Sequence, residues 1–212
     1  MPRKPSSAKD AAITHATVEL LLSTGYARLS MEAVAARAAV SKRTLYKRFA
    51  SKAALVDHVA AALFAELQQS SPIAPRFEDD LAGALTEFVD RVASFLLDPV
   101  VLGLLRVAIA EAVVNPALAA AFVEHGKRPV EQALAEYLRQ RPELDLQAPD
   151  IAALQLLGMV KEAVVWPQVL SPEKRLTNAA RKQLIASAIN VFLRAHVRCG
   201  ASTSLVAGAT DR

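Results

Sequence analysis

The sequence predicts an all-α fold, an N-terminal three-helix helix-turn-helix domain followed by a larger helical domain. Three observations carry that expectation. Apolar residues recur at three- and four-residue spacing in segment after segment, and no β-like alternation of useful length interrupts them. Two short helical patterns, opened by Ser30 and Ser41, are joined by a turn of a few residues around Ala39-Val40, which is the layout of a helix-turn-helix. The chain has 212 residues, 53% of them hydrophobic, enough to bury a sizeable core in one large or two small domains.

Ser7-Ala8-Lys9-Asp10 has the form of a capping box. Ile13, Ala16, Leu20 and Leu21 then mark a first helix over about residues 8–24, which Gly25 stops. In the helix-turn-helix, Val40, Leu45 and Phe49 are left to face inward, towards Val34 and the first helix. Lys42, Arg43, Lys47 and Arg48 form a basic face with Thr44 and Tyr46, and such a face suits a DNA groove between two phosphate rails. A fourth helix opens at Ala50-Ser51-Lys52 and repeats Leu55, Val59, Leu63 and Leu67. The run Ser70-Ser71-Pro72-Ile73-Ala74-Pro75 ends it and reads as a domain boundary.

Beyond it, Leu81, Leu85, Phe88, Val92 and Phe95 lie on one helix, and Asp98-Pro99 separates it from an apolar helix over Val100 to Val114. Asn115-Pro116 reads as an N-cap with proline at the first helical position; Gly126 and Pro129 are expected to kink or split that helix before Arg139. After a loop over about residues 140–148, a helix from Asp150 is expected to halt at Pro167. Ser171-Pro172 opens a last segment carrying Ile185, Ala188, Ile189, Phe192 and Leu193 on one face as far as Gly200. Residues 201–212, small and polar, read as a disordered tail.

Charge is divided unevenly. Residues 1–58 hold ten Lys and Arg against four acids, a net +6 beside the helix-turn-helix, whereas the whole chain is only +4. That asymmetry points to a polyanion partner for the N-terminal part. One cysteine, Cys199, excludes a disulfide framework within the chain and fits a reducing compartment. No apolar run follows the basic N-terminus, so no signal peptide is expected. Asp98, Pro99, Arg106 and Glu111 interrupt the apolar stretch 95–114, which reads as buried core rather than a membrane span. His15, His58, His125 and His196 show no metal-ligand spacing, and no nucleophile elbow, phosphate loop or dinucleotide glycine pattern occurs. Neither an enzyme nor a cofactor or metal site is expected.

Gly25-Tyr26, Met31-Glu32-Ala33-Val34-Ala35, the run Val40 to Tyr46, Phe49 and Ser51-Lys52 closely resemble the N-terminal domain of TetR-family transcriptional regulators. Leu105 to Ala112 followed by Asn115-Pro116 is similar to the AefR-like subgroup. The resemblance implies a bacterial cytoplasmic homodimer whose heads read a palindromic operator on double-stranded DNA. It also implies a dimer interface on the last two long helices and a pocket for a small, largely apolar effector that releases the repressor. Residues 1–52 would then be the DNA-binding domain and 53–200 the effector-binding and dimerisation domain. Ser30, Ser41, Lys42, Arg43, Thr44, Tyr46, Lys47 and Lys52 become the expected DNA contacts. Arg43 serves as base reader or phosphate binder, and Ser30 and Lys52 as phosphate contacts from the starts of their helices. Ala39 stands where the family commonly has glycine, and Arg28 where it often has threonine.

Phe88, Arg106, Glu111, Phe122 and His125 are the candidate effector residues, and each has a plainer reading. Arg106 and Glu111 could instead form internal ion pairs with neighbouring helices, and His125 could be a part-exposed helix-end histidine. Trp166 reads as interface or core filler. Leu154, Leu157, Val164 and the apolar face of the last helix support a dimer, although an intramolecular partner would leave the same pattern. The alternative to a regulator is a helical interaction protein with nonspecific DNA binding and no effector.

Overall fold

The computed structural model describes residues 7–70, 80–171, 173 and 176–198. The boundary run from Ser71 to Pro75, Pro172, Cys199 and the tail 201–212 therefore lie outside the described residues. Helices run α1 (Ser7–Arg28), α2 (Met31–Arg37), α3 (Lys42–Arg48), α4 (Lys52–Ser70), α5 (Leu81–Leu96), α6 (Pro99–Glu111), α7 (Ala117–Phe122), α8 (Arg128–Arg139), α9 (Pro149–Val160), α10 (Trp166–Leu170) and α11 (Asn178–His196). Among the described residues there is no strand; one isolated antiparallel bridge joins Leu144 to Val197. No single described helix is long and apolar enough to cross a membrane.

Two compact units form, and neither is continuous along the chain. One comprises α1–α4 with α6 and α7; the other comprises α5 and α8–α11. In the first, α6 packs on α1 and α7 on α4. Its core contains Ile13, Leu21, Val34, Leu45, Leu55, Val59, Leu104 and Leu118. In the second, Leu81, Leu85 and Phe88 of α5 bury against Leu134 and Tyr137 of α8, Leu156 and Leu157 of α9, and Ile185, Ile189 and Phe192 of α11. Asp80, Asp98 and Thr177 accept backbone N–H bonds at the starts of α5, α6 and α11.

Several expectations are corrected here. Gly25 breaks α1 at φ 77°, but the chain resumes for another turn to Arg28. The carboxylate of Asp10, expected in a capping box with Ser7, pairs with Arg48; the Ser7 side chain lies outside the described residues. Asn115 does not cap α7, because its amide donates to Glu111 Oε2 at 2.7 Å. The final helix begins at Asn178, not at Ser171-Pro172.

Pro167 does not halt its helix, and the interruption expected at Gly126 and Pro129 is a widened turn rather than a break. Pro129 and Pro167 each follow a π-helical turn, Val123–Lys127 and Lys161–Val165 respectively, with one residue between. A proline inside an α-helix lacks a donor, and its ring meets the carbonyl four residues earlier. Widening the preceding turn to the i→i+5 pattern moves that carbonyl aside, so the helix continues through α8 and α10.

The turn between α2 and α3 is a Schellman closure. Val40 N–H donates to Ala35 O at 3.0 Å and Ala39 N–H to Ala36 O at 3.3 Å. This geometry needs a left-handed residue, and Ala39 supplies it at φ 52°. Ala39→Gly should raise the unfolding free energy by about 1 kcal/mol, read from urea denaturation, because glycine carries no Cβ penalty there.

Gly126, in the first π turn, lies against α4. A Cβ added there would stand 2.2 Å from Phe64 Cζ, whose ring also meets Phe122 edge-on at 5.3 Å. Gly126→Ala should destabilise the protein by about 1–3 kcal/mol, and a double variant with Phe64→Leu should lose less than the sum of the two single losses.

Candidate nucleic-acid interface

Helix α3 is seven residues long, too short to persist alone, so its neighbours must hold it. Leu45 is fully buried and Phe49, its C-cap, nearly so. Ser41 accepts the Thr44 N–H at 3.1 Å, and the two hydroxyls lie 2.8 Å apart. Ser30 caps α2 in the same way through Ala33 N–H at 3.1 Å. Ser51 repeats the device at α4, accepting from Ala54 N–H at 3.1 Å.

Once α3 is seated, its positions sort by side. Lys42, Arg43, Tyr46 and Lys47, at i, i+1, i+4 and i+5, are all exposed, and Thr44 is half-buried at their edge. Lys42, Arg43 and Lys47 make no ion pair or side-chain hydrogen bond among the described residues. Arg48 departs from the expected basic face. It follows Leu45 by three residues, shares its inward side, and pairs with Asp10 of α1. Arg37 is likewise engaged, donating to Glu19 at 2.8 Å.

Lys52 stands at the start of α4, yet its ammonium donates to the Tyr26 carbonyl at 2.9 Å and lies 4.3 Å from that ring's centre. It ties the end of α1 to the start of α4 and keeps two further protons for another acceptor. Tyr46 is 48% exposed, and its hydroxyl donates to Glu32 Oε1 at 3.3 Å. Partial desolvation, then the Glu32 carboxylate, raises the phenol above its ordinary pKa. Sequence reasoning did not single out Glu32; its only signal was being the one acid between Ser30 and Phe49.

The candidate effector residues fall in different units. Phe88 is fully buried in the core of the second unit. Arg106, Glu111, Phe122 and His125 belong to the first. The expected ion pair for Glu111 is replaced by the Asn115 amide, and its charge contributes, after burial, to raising the Tyr26 phenol pKa. His125 Nε2 lies 2.7 Å from Asp57 Oδ1 of α4, joining the π turn to that helix. Trp166 is 41% exposed, so it is not core filler. Leu157, Val164 and the apolar residues Ile185, Ala188, Ile189 and Phe192 of α11, expected to support a dimer, are buried inside the second unit. Leu154 stays exposed. Among the described residues no three His, Cys, Asp or Glu side chains gather as a metal site.

Comparison with known proteins places this geometry. Residues 13–59 match the family model described as "Bacterial regulatory proteins, tetR family". Residues 83–197 match "AefR-like transcriptional repressor, C-terminal domain". An HTH-type transcriptional regulator of Mycobacterium bovis is 34% identical over 143 residues, which are 65% of this chain and 64% of that protein. The match thus spans about two thirds of that curated relative. The solved structure of the flavonoid-responsive regulator FrrA is 30% identical, with a TM-score of 0.78 over 91% of this chain and 98% of its own. A TetR-family regulator from Pseudomonas syringae is 26% identical, with a TM-score of 0.71 over 92% of this chain and all of its own. A C-terminal family model covering more than half of the sequence, behind a capped helix-turn-helix with a free basic face, puts this chain in the TetR family of DNA-binding transcriptional regulators, which are not enzymes.

Proposed function

We propose that the protein is a homodimeric repressor that binds a palindromic operator through α3 and leaves it when a small, largely apolar effector binds. One observation carries the DNA-facing part. The cations of the helix-turn-helix are partitioned, with Arg37, Arg48 and Lys52 engaged internally while Lys42, Arg43 and Lys47 are exposed beside Tyr46. Lys42, Lys47 and Tyr46 suit phosphate, and Arg43 suits either phosphate or the two acceptors of a guanine edge. Ser30, Ser41 and Thr44 border that face, and Lys52 has protons left for a phosphate at its edge.

A dimer is supported by what α9–α11 leave uncovered. Ile151 and Leu154 of α9, Trp166 and Leu170 of α10, and Val191 of α11 are exposed apolar side chains. Gly158 of α9 has open space where its Cβ would be, so nothing within 4 Å in its own chain requires a glycine there. A second α9–α11 pair approaching closely would use both features.

FrrA, by its description, responds to flavonoids. Its similarity over 91% of this chain favours a planar aromatic effector here as well. Such a ligand at the α4–α7 seam, against Phe64 and Phe122, would displace α4, whose first residue Lys52 holds the end of α1. A shifted α4 changes the distance between the two α3 helices, which must be about 34–36 Å to meet successive major grooves.

Selection of bound sequences from a random duplex pool should yield one palindromic consensus, released by a flavonoid titration. No consensus, with affinity collapsing as salt rises, would instead favour the nonspecific interaction protein. On the selected duplex, Lys42→Ala and Lys47→Ala should each lower the salt slope by about one ion, and Arg43→Ala should cost about 1–3 kcal/mol. Arg48→Ala should lower thermal stability while leaving the salt slope unchanged.

In sedimentation equilibrium, the double variant Leu154→Glu, Val191→Glu should run as a folded monomer. Its operator affinity should fall by roughly a hundredfold or more as the two heads lose their linkage. A dimer that survives both charges would exclude this face.

A further inference from the structure

We infer that Glu32 limits DNA affinity by competing with phosphate for the hydroxyl of Tyr46. The inference rests on the reading that the exposed side of α3 meets DNA. Glu32 is the only acid between Ser30 and Phe49, in a segment whose other charged residues are all cations. It is exposed in the first turn of α2, and its carboxylate accepts the Tyr46 hydroxyl at 3.3 Å. Tyr46 is itself flanked along α3 by Lys42, Arg43 and Lys47.

A phenol has one proton to donate. In the free protein an anionic oxygen already takes it, and a DNA phosphate offers another anionic oxygen to the same donor. When Tyr46 turns to phosphate, Glu32 loses its partner and remains a bare carboxylate close to the incoming backbone. Both effects oppose phosphate binding, and nonspecific binding consists almost wholly of phosphate contacts. Glu32 therefore acts as a brake on residence at sites where Arg43 finds no matching base. The contact is exposed and its hydrogen bond long, so the brake is shallow and yields to a seated groove complex.

The test measures duplex affinity for wild type, Glu32→Gln, Tyr46→Phe and the double variant, on the selected operator and on an unrelated duplex, at two salt concentrations. Glu32→Gln should tighten binding to the unrelated duplex by about three- to tenfold, with a salt slope steeper by up to about one ion. Glu32→Ala, which removes the acceptor altogether, should change affinity in the same direction. In the Tyr46→Phe background the gain from Glu32→Gln should shrink, because no hydroxyl is left to compete for. Unchanged or weaker binding by Glu32→Gln would overturn the inference and leave Glu32 as a support for Tyr46. An equal gain with and without the hydroxyl would overturn it too, reducing Glu32 to a distant charge. If neither Tyr46→Phe nor Arg43→Ala weakens binding, the DNA-facing reading itself fails. If both weaken it and Glu32→Gln does not tighten it, only the present inference fails.

Discussion

A seven-residue helix carrying three unpartnered cations has no stability of its own, and the first unit is built around seating it. Isolated helices of that length are marginal in water, and three like charges on one side worsen the balance. Burial of Leu45 and Phe49 supplies about 1.5–3 kcal/mol each, and the Ser41 cap about 1 kcal/mol more. Arg48 reaches Asp10 across 38 sequence positions, so the last turn of α3 is fastened to the first turns of α1. What is left exposed is therefore exposed at a fixed angle. The preorganisation of α3 is a property of α1 and α2 as much as of α3.

Much of this arrangement was legible in the sequence because local rules govern it. The serine caps, the inward Leu45 and Phe49 and the interruption at Gly25 follow from steric and hydrogen-bonding limits over a few residues. The side of α3 on which Arg48 lies was legible too, from its three-residue distance to Leu45, but counting basic residues without regard to face concealed it. The destinations of the acids were not legible. Asp10 finds Arg48, Glu32 finds Tyr46, Asp57 finds His125 and Glu111 finds Asn115. Three of those four pairings cross between helices, and no periodicity encodes them.

The prolines and the second unit show two further limits of pattern reading. Proline is read as a helix breaker because the α-helical ladder is taken as the only alternative to a break; the π turns before Pro129 and Pro167 are a third choice. An apolar stripe, similarly, records that a surface is covered but not by what. The stripe of α11 is covered within its own unit, whereas Leu154, Ile151 and Val191 occupy other sides of the same helices. Only after the intramolecular contacts are subtracted do the exposed apolar residues of α9 and α11 stand apart from the core.

The helices of the first unit come from two separate stretches of chain, so α6 and α7 are neighbours of α1 and α4 in space but not in sequence. Their seams admit little slack. Gly103 has Leu22 where its Cβ would be, and Gly126 has Phe64. Close-packed seams of this kind do not deform gradually; they hold one arrangement or jump to another. Lys52 at the start of α4 in turn holds the carbonyl of Tyr26, so α7, α4 and the end of α1 form one continuous chain of contacts. The angle of α3 is therefore fixed by close packing that extends through α1 and α4 to α6 and α7, well beyond the helix-turn-helix itself.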